Sequence, residues 1–299
     1  MRRFTLPAVG MFGIIALAIT GCQASGSESA SPADVTITIA MPPISDDPTQ
    51  ANPVDALATL LEKETGRKVE IADVPDYLSV VEAIRADHVD IGIMSGFPSA
   101  LAVNTGKVDA LLAWKGKDTP VSTCVVLDGS PEKKLEDLRG KTVAFADQGS
   151  SSGYFMPVYM LDQAGLTQDV DYEAIFAGGH DGSFAALEQG QVDAACTAIV
   201  LTEMGAPAFP FADGEWRGIG QSPSMAVTGT VLARQTLDEE TRTLLETAIP
   251  KVFSPENAEE LGALSSFTGL DVVFAPEPSM FSSFAAIAEV AGVKLEDLK

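Results

Sequence analysis

Gly140–Tyr159 reads GKTVAFADQGSSSGYFMPVY, and three kinds of local structure follow one another in it. Lys141–Ala146 alternates and is β-branched enough to predict a buried strand. Gly149–Gly153 then sets three hydroxyls between two glycines. From Tyr154 the apolar residues recur at helical spacing through Leu161 and Ala164. A strand, a Ser/Gly turn and a helix present backbone N–H groups and hydroxyls at a helix N-terminus. Unpaired donors and the positive end of the helix dipole attract an oxyanion there. An ordinary serine N-cap is the alternative reading. It accounts for one serine and leaves the other two, framed by glycines, unexplained.

The chain around this stretch is built twice. Upstream, Val35–Ala40, Lys68–Ala72 and Val89–Met94 read as strands, separated by helices over Val54–Thr65 and Tyr77–Ala86. Leu57, Leu60 and Leu61 share one face of the first helix, and Gly66 closes it. From Lys141 the order returns: a strand, a helix over Phe155–Ala164, a strand at Glu173–Phe176, a helix over Ser183–Glu188 and a strand at Val192–Ala198. Val81–Ile93 (VEAIRADHVDIGI) runs parallel to Phe184–Cys196 (FAALEQGQVDAAC), with Asp90 matching Asp193. Each half is β-α-β-α-β, which favours an α/β lobe with a mostly parallel sheet covered on both faces. Leu111–Trp114 and Thr123–Leu127 carry the chain from one lobe to the other, and Asp213–Ser222 brings it back. Residues 35–120 with 222–299 are expected to form one lobe and 121–221 the other, with a doubly crossed hinge. After a strand at Met225–Ala233 and a helix over Leu237–Phe253, the C-terminal segments, Met280–Ala291 among them, are expected to be helical and to close over the first lobe.

Before all this, Arg2 and Arg3 precede an apolar run, Phe4–Thr20, that ends in Ile19-Thr20-Gly21-Cys22. A charged start, a short apolar core and small residues before a cysteine resemble the lipobox of bacterial lipoproteins. Residues 1–21 are then a signal peptide, and Cys22 becomes the acylated N-terminus. Gln23–Ala33, rich in Ser, Ala and Gly, serves as part of a flexible tether over 22–34. The mature chain is expected to be anchored to the membrane, not to span it.

Composition bounds the rest. The chain carries −23, and losing Arg2 and Arg3 deepens this by two. So acidic a protein, with no Lys/Arg cluster, repels nucleic acid. Apart from Cys22, the cysteines are Cys124 and Cys196. An oxidising compartment permits them to pair, although both sit in apolar strand-like segments where separate buried thiols are also at home. Two histidines and these thiols show none of the compact zinc spacings, and neither metal nor cofactor is expected.

Two turns besides the serines bear chemistry. Gly178-Gly179-His180-Asp181-Gly182-Ser183 follows a strand and opens a helix, placing His180 at the same sheet edge as the serines. Ligands of open α/β sheets bind outside the strand C-termini. His180 can donate to an anion there, whose charge would favour the protonated ring; otherwise it is a loop residue beside a plain cap. In the first lobe the matching edges are Met41–Pro43, Pro75–Tyr77 and Ser95–Ser99. Tyr77 offers a phenol at a helix start or merely packs on a loop. Ser95 and Ser99 are further donors or simple caps. Gly149–Gly153 also satisfies G-x-S-x-G, which would make Ser151 a hydrolase nucleophile. That fold needs a late histidine, and His180 is the only one downstream of Ser151.

Taken together, these residues resemble the phosphonate-binding proteins of bacterial ABC importers, relatives of phosphite and phosphate binders. Ser150-Ser151-Ser152-Gly153-Tyr154 looks like their Ser-Thr-Ser-Gly-Tyr signature, and Pro75–Gly92, Gly178–Ala195 and Trp216–Pro223 agree with it. The resemblance covers most of Val35–Pro250. It implies a two-lobed periplasmic-binding-protein-like fold of type II, closing on an oxyanion held by Ser150, Ser151, Ser152, Gly153, His180 and Tyr77, with Ser95 and Ser99 nearby. It also implies no catalysis, an ABC permease as partner and a monomeric binder; a bilobal sensor or adhesion lipoprotein is the other reading. Two departures fall on the pocket for the ligand's side group. The family's Gly-Pro-x-x-Tyr segment is replaced around Gly96–Ala100, and its Asp-Pro opening is Asp147-Gln148-Gly149 here.

Overall fold

A computed structural model of the protein describes residues 35–42 and 53–293. The leader, Cys22, the tether and most of the Pro-rich loop after Pro42 lie outside the described residues. The chain lays down β1 (Ile37–Ala40), β2 (Val69–Ala72), β3 (Ile91–Ser95) and β4 (Val108–Lys115). It continues through β5 (Ser122–Leu127), β6 (Thr142–Phe145), β7 (Glu173–Phe176), β8 (Ala194–Ala198) and β9 (Trp216–Gln221), then returns with β10 (Val227–Arg234) and β11 (Val272–Phe274). One sheet has the order β11-β4-β10-β3-β1-β2 and the other β7-β6-β8-β5-β9.

Within each lobe the repeated half is parallel as read: β1 lies between β2 and β3, and β6 between β7 and β8. The remaining pairings are antiparallel, β10 with β3 and β4, β11 with β4, and β5 with β8 and β9. The sheets are therefore mixed, with β10 and β11 reversed in one and β5 in the other. β10 enters between β3 and β4, and β5 between β8 and β9, each running against both neighbours, while α3 and α6 carry the chain across those gaps.

The repeated Val-Asp has a structural cause. Asp90 Oδ2 accepts from the Thr38 N–H (2.7 Å) and hydroxyl (2.9 Å). Asp193 Oδ2 accepts from the Thr142 N–H at 2.9 Å. In return the Asp90 and Asp193 N–H groups each donate to the same threonine's carbonyl. Each aspartate thereby pairs backbone groups at the start of the middle strand of its lobe's parallel three. Each also has a cation, Arg234 for Asp90 at 2.8 Å and Lys141 for Asp193 at 3.3 Å.

Helices cover the sheets: α1 (Pro53–Thr65), α2 (Tyr77–Arg85), α3 (Gly96–Asn104), α4 (Met156–Gln163), α5 (His180–Glu188), α6 (Ile199–Met204), α7 (Glu239–Val252), α8 (Ala258–Leu261) and α9 (Phe284–Val290). As expected, α1 buries Leu57, Leu60 and Leu61, here together with Val54 and Ala58. The C-terminal segment reaches further than the first lobe. Phe284 meets Phe97 of α3 edge-on (5.8 Å), Phe97 stacks on Phe155 before α4 (3.4 Å), and α9 packs on α4 itself. One apolar cluster thus runs through both lobes. Among the described residues no helix is long and apolar enough to cross a membrane.

The two hinge crossings, Gly116–Val121 and Ser222–Ala226, lie side by side. The Gly116 N–H donates to the Ala226 carbonyl (2.9 Å), and Ser222 Oγ accepts from the Ser122 N–H (3.0 Å). A Cβ on Gly116 would fall 1.7 Å from the Met225 carbonyl oxygen, so only glycine permits this approach. Close by, Cys124 of β5 and Cys196 of β8 stand directly opposite and are joined by a disulfide.

Candidate functional site

A crevice of about 630 Å³ opens between the lobes, reached by elements of both sheets and by the hinge. Tyr77, Ser95, Asp147, Ser150, Ser152 and His180 line it. They come from the C-terminal end of β3 or from the turns and helix starts that follow β2, β6 and β7, as the general rule for such sheets requires. Lys117, Asp147 and Glu203 are the lysine and acidic side chains that line it among the described residues.

The three serines do three different things. Ser150 Oγ accepts from the Gly153 N–H (3.0 Å), the ordinary cap, while the residue stays at the crevice wall. Ser151 is completely buried; its hydroxyl accepts from the Phe97 N–H (2.8 Å) and donates to Ser95 Oγ (2.9 Å). It ties the second lobe to the first and does not line the crevice. Ser152 faces the crevice, and its hydroxyl has no hydrogen-bond partner among the described residues. The helix read from Tyr154 begins as a wider π-turn over Ser151–Phe155, in which the Phe155 N–H donates to the Ser150 carbonyl (3.1 Å). Such turns recur at functional sites.

Gly153 contributes space, not a free donor. A Cβ there would stand 2.6 Å from Ala146 Cβ and 2.9 Å from His180 Cε1, and its N–H is already given to Ser150. Gly149 is needed for the same reason, because a Cβ would be 2.4 Å from Tyr77 Cβ of the opposite lobe. Tyr77 opens α2 behind the Asp76 cap, and it shares the crevice lining with Ser95 and Ser150. Burial raises its pKa, and the neighbouring Ser95 and Ser150 hydroxyls oppose the rise.

His180 is half-buried, with Nδ1 2.8 Å from Thr197 Oγ1. Loss of hydration pushes its pKa down to about 4, so the unliganded ring is neutral and not the cation that a bound anion would favour. The tautomer that accepts from Thr197 at Nδ1 carries its proton on Nε2. Asp147 Oδ1 accepts from the Gly149 N–H (2.6 Å) and shapes the turn. Burial raises the Asp147 pKa, with the Asp76 charge adding to the rise and the Gly149 bond opposing it. Ser99 is not a crevice residue; it is fully buried and donates to the Ser95 carbonyl within α3.

The structure therefore gathers Tyr77, Ser95, Ser150, Ser152 and His180, leaves Gly153 beneath them, and sets Ser151 and Ser99 aside as structural. A nucleophile role does not suit Ser151, which is buried and bonded to Ser95, while His180 bonds to Thr197. Thr197 was missed from the sequence. The internal repeat carried the signal, since Thr197 and Ala198 align with Met94 and Ser95 at the matching strand end. The crevice's apolar lining, Val200, Leu201 and Phe267 among others, was missed too.

Comparison with known proteins follows this geometry. The family model described as ABC transporter, phosphonate, periplasmic substrate-binding protein matches residues 39–275. The chain is 34% identical over 200 residues to the phosphate-import protein PhnD of Mycolicibacterium smegmatis, covering 62% of each chain. It is 30% identical over 142 residues to the phosphonates-binding periplasmic protein of Escherichia coli, covering 45% of this chain and 42% of that one. It thus spans about three fifths of the first relative's length and less than half of the second's. PhnD1 of Prochlorococcus marinus, solved with methylphosphonate, superposes with a TM-score of 0.70 at 20% identity, over 87% of this chain and 98% of that one. That likeness establishes the two-lobed binding-protein fold.

Proposed function

From the premise that this chain belongs to the phosphonate-binding family of periplasmic substrate-binding proteins of ABC transporters, we propose that it captures a small phosphorus oxyanion between its lobes and delivers it to an ABC permease. Phosphonate, phosphite and phosphate are the candidates, and no bond is made or broken. The observation that carries this reading is the convergence of hydroxyl and imidazole donors, Tyr77, Ser95, Ser150, Ser152 and His180, on one crevice. A hydrogen bond to a charged oxygen contributes about 1.5–3 kcal/mol. Four to six of them, less ordering and desolvation, correspond to about −8 to −12 kcal/mol, the micromolar to nanomolar range. The acidic chain repels an anion at long range, but physiological salt screens that field within about 8 Å.

Residues 35–120 with 222–299 then act as one lobe and 121–221 as the other. The Ser151–Ser95 and Ser151–Phe97 hydrogen bonds are contacts that closure of the lobes makes. The protein works as a monomer held at the outer face of the membrane by lipid on Cys22, which keeps the captured ion beside the permease. Isothermal titration against phosphate, phosphite and methylphosphonate tests the binding. Micromolar or tighter affinity for at least one is expected; heat from none of them, at concentrations up to a millimolar, would sink the reading.

A further inference from the structure

The crevice is far larger than the ion. Its 630 Å³ lies in the range of sites that enclose drug-sized ligands, about 300–1,000 Å³, and is roughly twenty times the volume share of a water molecule. A phosphoryl group has four heavy atoms and fills a small part of that. Donors gather around the serine turn, whereas Val200, Leu201, Met225, Leu264, Phe267 and Leu270 line much of the rest, with Thr119, Gln221, Thr228 and Ser266 among them. These come from α6, the second hinge crossing and the segment after α8, so both lobes and the hinge contribute. Phe267 is held by the rings of Trp114 (4.8 Å) and Phe253 (5.9 Å). Val200 remains 38% exposed although apolar. Glu203 and Lys117, the charged groups at this part of the lining, are themselves exposed.

We propose that the ligand is a singly substituted phosphoryl compound, R–PO₃, whose R is an apolar group of about four to seven carbons lying against Val200, Leu201, Leu264 and Phe267. This rests on the oxyanion reading above and names the class of ligand for it. An apolar wall gains from an alkyl or aryl group and strips water from an ammonium laid against it, while the exposed Glu203 carboxylate remains hydrated. Each buried methylene tightens binding about fourfold, corresponding to about 0.8 kcal/mol.

Titration of the whole protein with phosphite, methylphosphonate, butylphosphonate, phenylphosphonate, butyl phosphate and 4-aminobutylphosphonate tests this. Butylphosphonate should bind roughly fiftyfold tighter than methylphosphonate, and the aminobutyl compound should lose most of that gain. Butyl phosphate separates an ester source of the ligand from a carbon–phosphorus one, since either serves the same wall. Val200→Asp, at an exposed position, should bring the butyl-to-methyl ratio below threefold, as should Phe267→Ala. Phosphite or methylphosphonate binding within threefold of the butyl and phenyl compounds would overturn the inference and leave the oxyanion reading standing. A full increment retained in both variants would overturn it too. Failure of every phosphorus compound to bind would instead remove the oxyanion reading.

Discussion

Ser151 and Ser152 are adjacent in the chain and opposite in environment. Ser151→Ala would leave the buried Phe97 N–H without its acceptor, which costs about 1–3 kcal/mol of stability. Ser152→Ala removes a hydroxyl that faces the crevice, and should weaken oxyanion binding about tenfold without moving the melting temperature. Chemical denaturation and titration of the two variants separate the roles; equal effects of both on affinity alone would refute the division. His180 gives a pH prediction with a definite sign. Its folded pKa of about 4 lies below the ordinary 6.5, so the unfolded chain takes up the proton first. The neutral ring's contribution is intact above about pH 6.5 and is lost as the pH falls to about 4, a decline on the order of 2–3 kcal/mol. His180→Asn should flatten that part of the stability profile, and an unchanged slope would show that His180 is not its source. At this scale the sequence marked turns that the structure brings to one crevice, since hydroxyls between glycines at a strand-to-helix junction fall at the sheet edge. It did not divide labour among the serines. That depends on Ser95 and Phe97, more than fifty residues away, and on the π-turn that rotates neighbouring side chains to different faces.

Among elements, the two aspartate clamps are the sharpest case of a pattern with a cause. Asp90 and Asp193 hold β1 and β6 through Thr38 and Thr142. Asp193→Ala leaves the Thr142 N–H without its acceptor and Lys141 with one carboxylate fewer, and should cost about 1–3 kcal/mol. Asp90→Ala should cost a similar amount in the other lobe, while Asp→Asn should recover part of the loss in each, since an amide oxygen still accepts. Hydrogen exchange of the β1 and β6 amides checks this locally, and protection unchanged in both alanine variants would dismiss the clamp. The repeat made the parallel halves legible, because period-two strands alternating with amphipathic helices allow little else. The antiparallel additions were not legible. Strand direction at a lobe boundary depends on where the chain goes next, and Met225–Ala233 carries no local sign of that.

At the scale of the molecule, the question is whether the lobes stand as two folding units or one. Two crossings side by side suggest a hinge, and a hinge suggests independence. Against that, Phe97 of the first lobe stacks on Phe155 of the second, and Phe284 closes over the pair from the C-terminal segment. Burying an aromatic side chain contributes about 1.5–3 kcal/mol, and these three are almost wholly covered. Such a seam couples the lobes as strongly as elements within one core are coupled. The C-terminal helix was expected to close over the first lobe, because apolar spacing says that a helix buries a face and not what it buries it against. The protein should therefore unfold in one cooperative transition, with calorimetric and van't Hoff enthalpies equal. Phe284→Ala opens a cavity between the lobes at a cost of about 3–5 kcal/mol and loosens that coupling. It should lower the transition and broaden it, with the enthalpy ratio departing from one. A variant that melts as sharply as the original, only earlier, would place Phe284 in a single lobe's core and return the hinge crossings to sole charge of the connection.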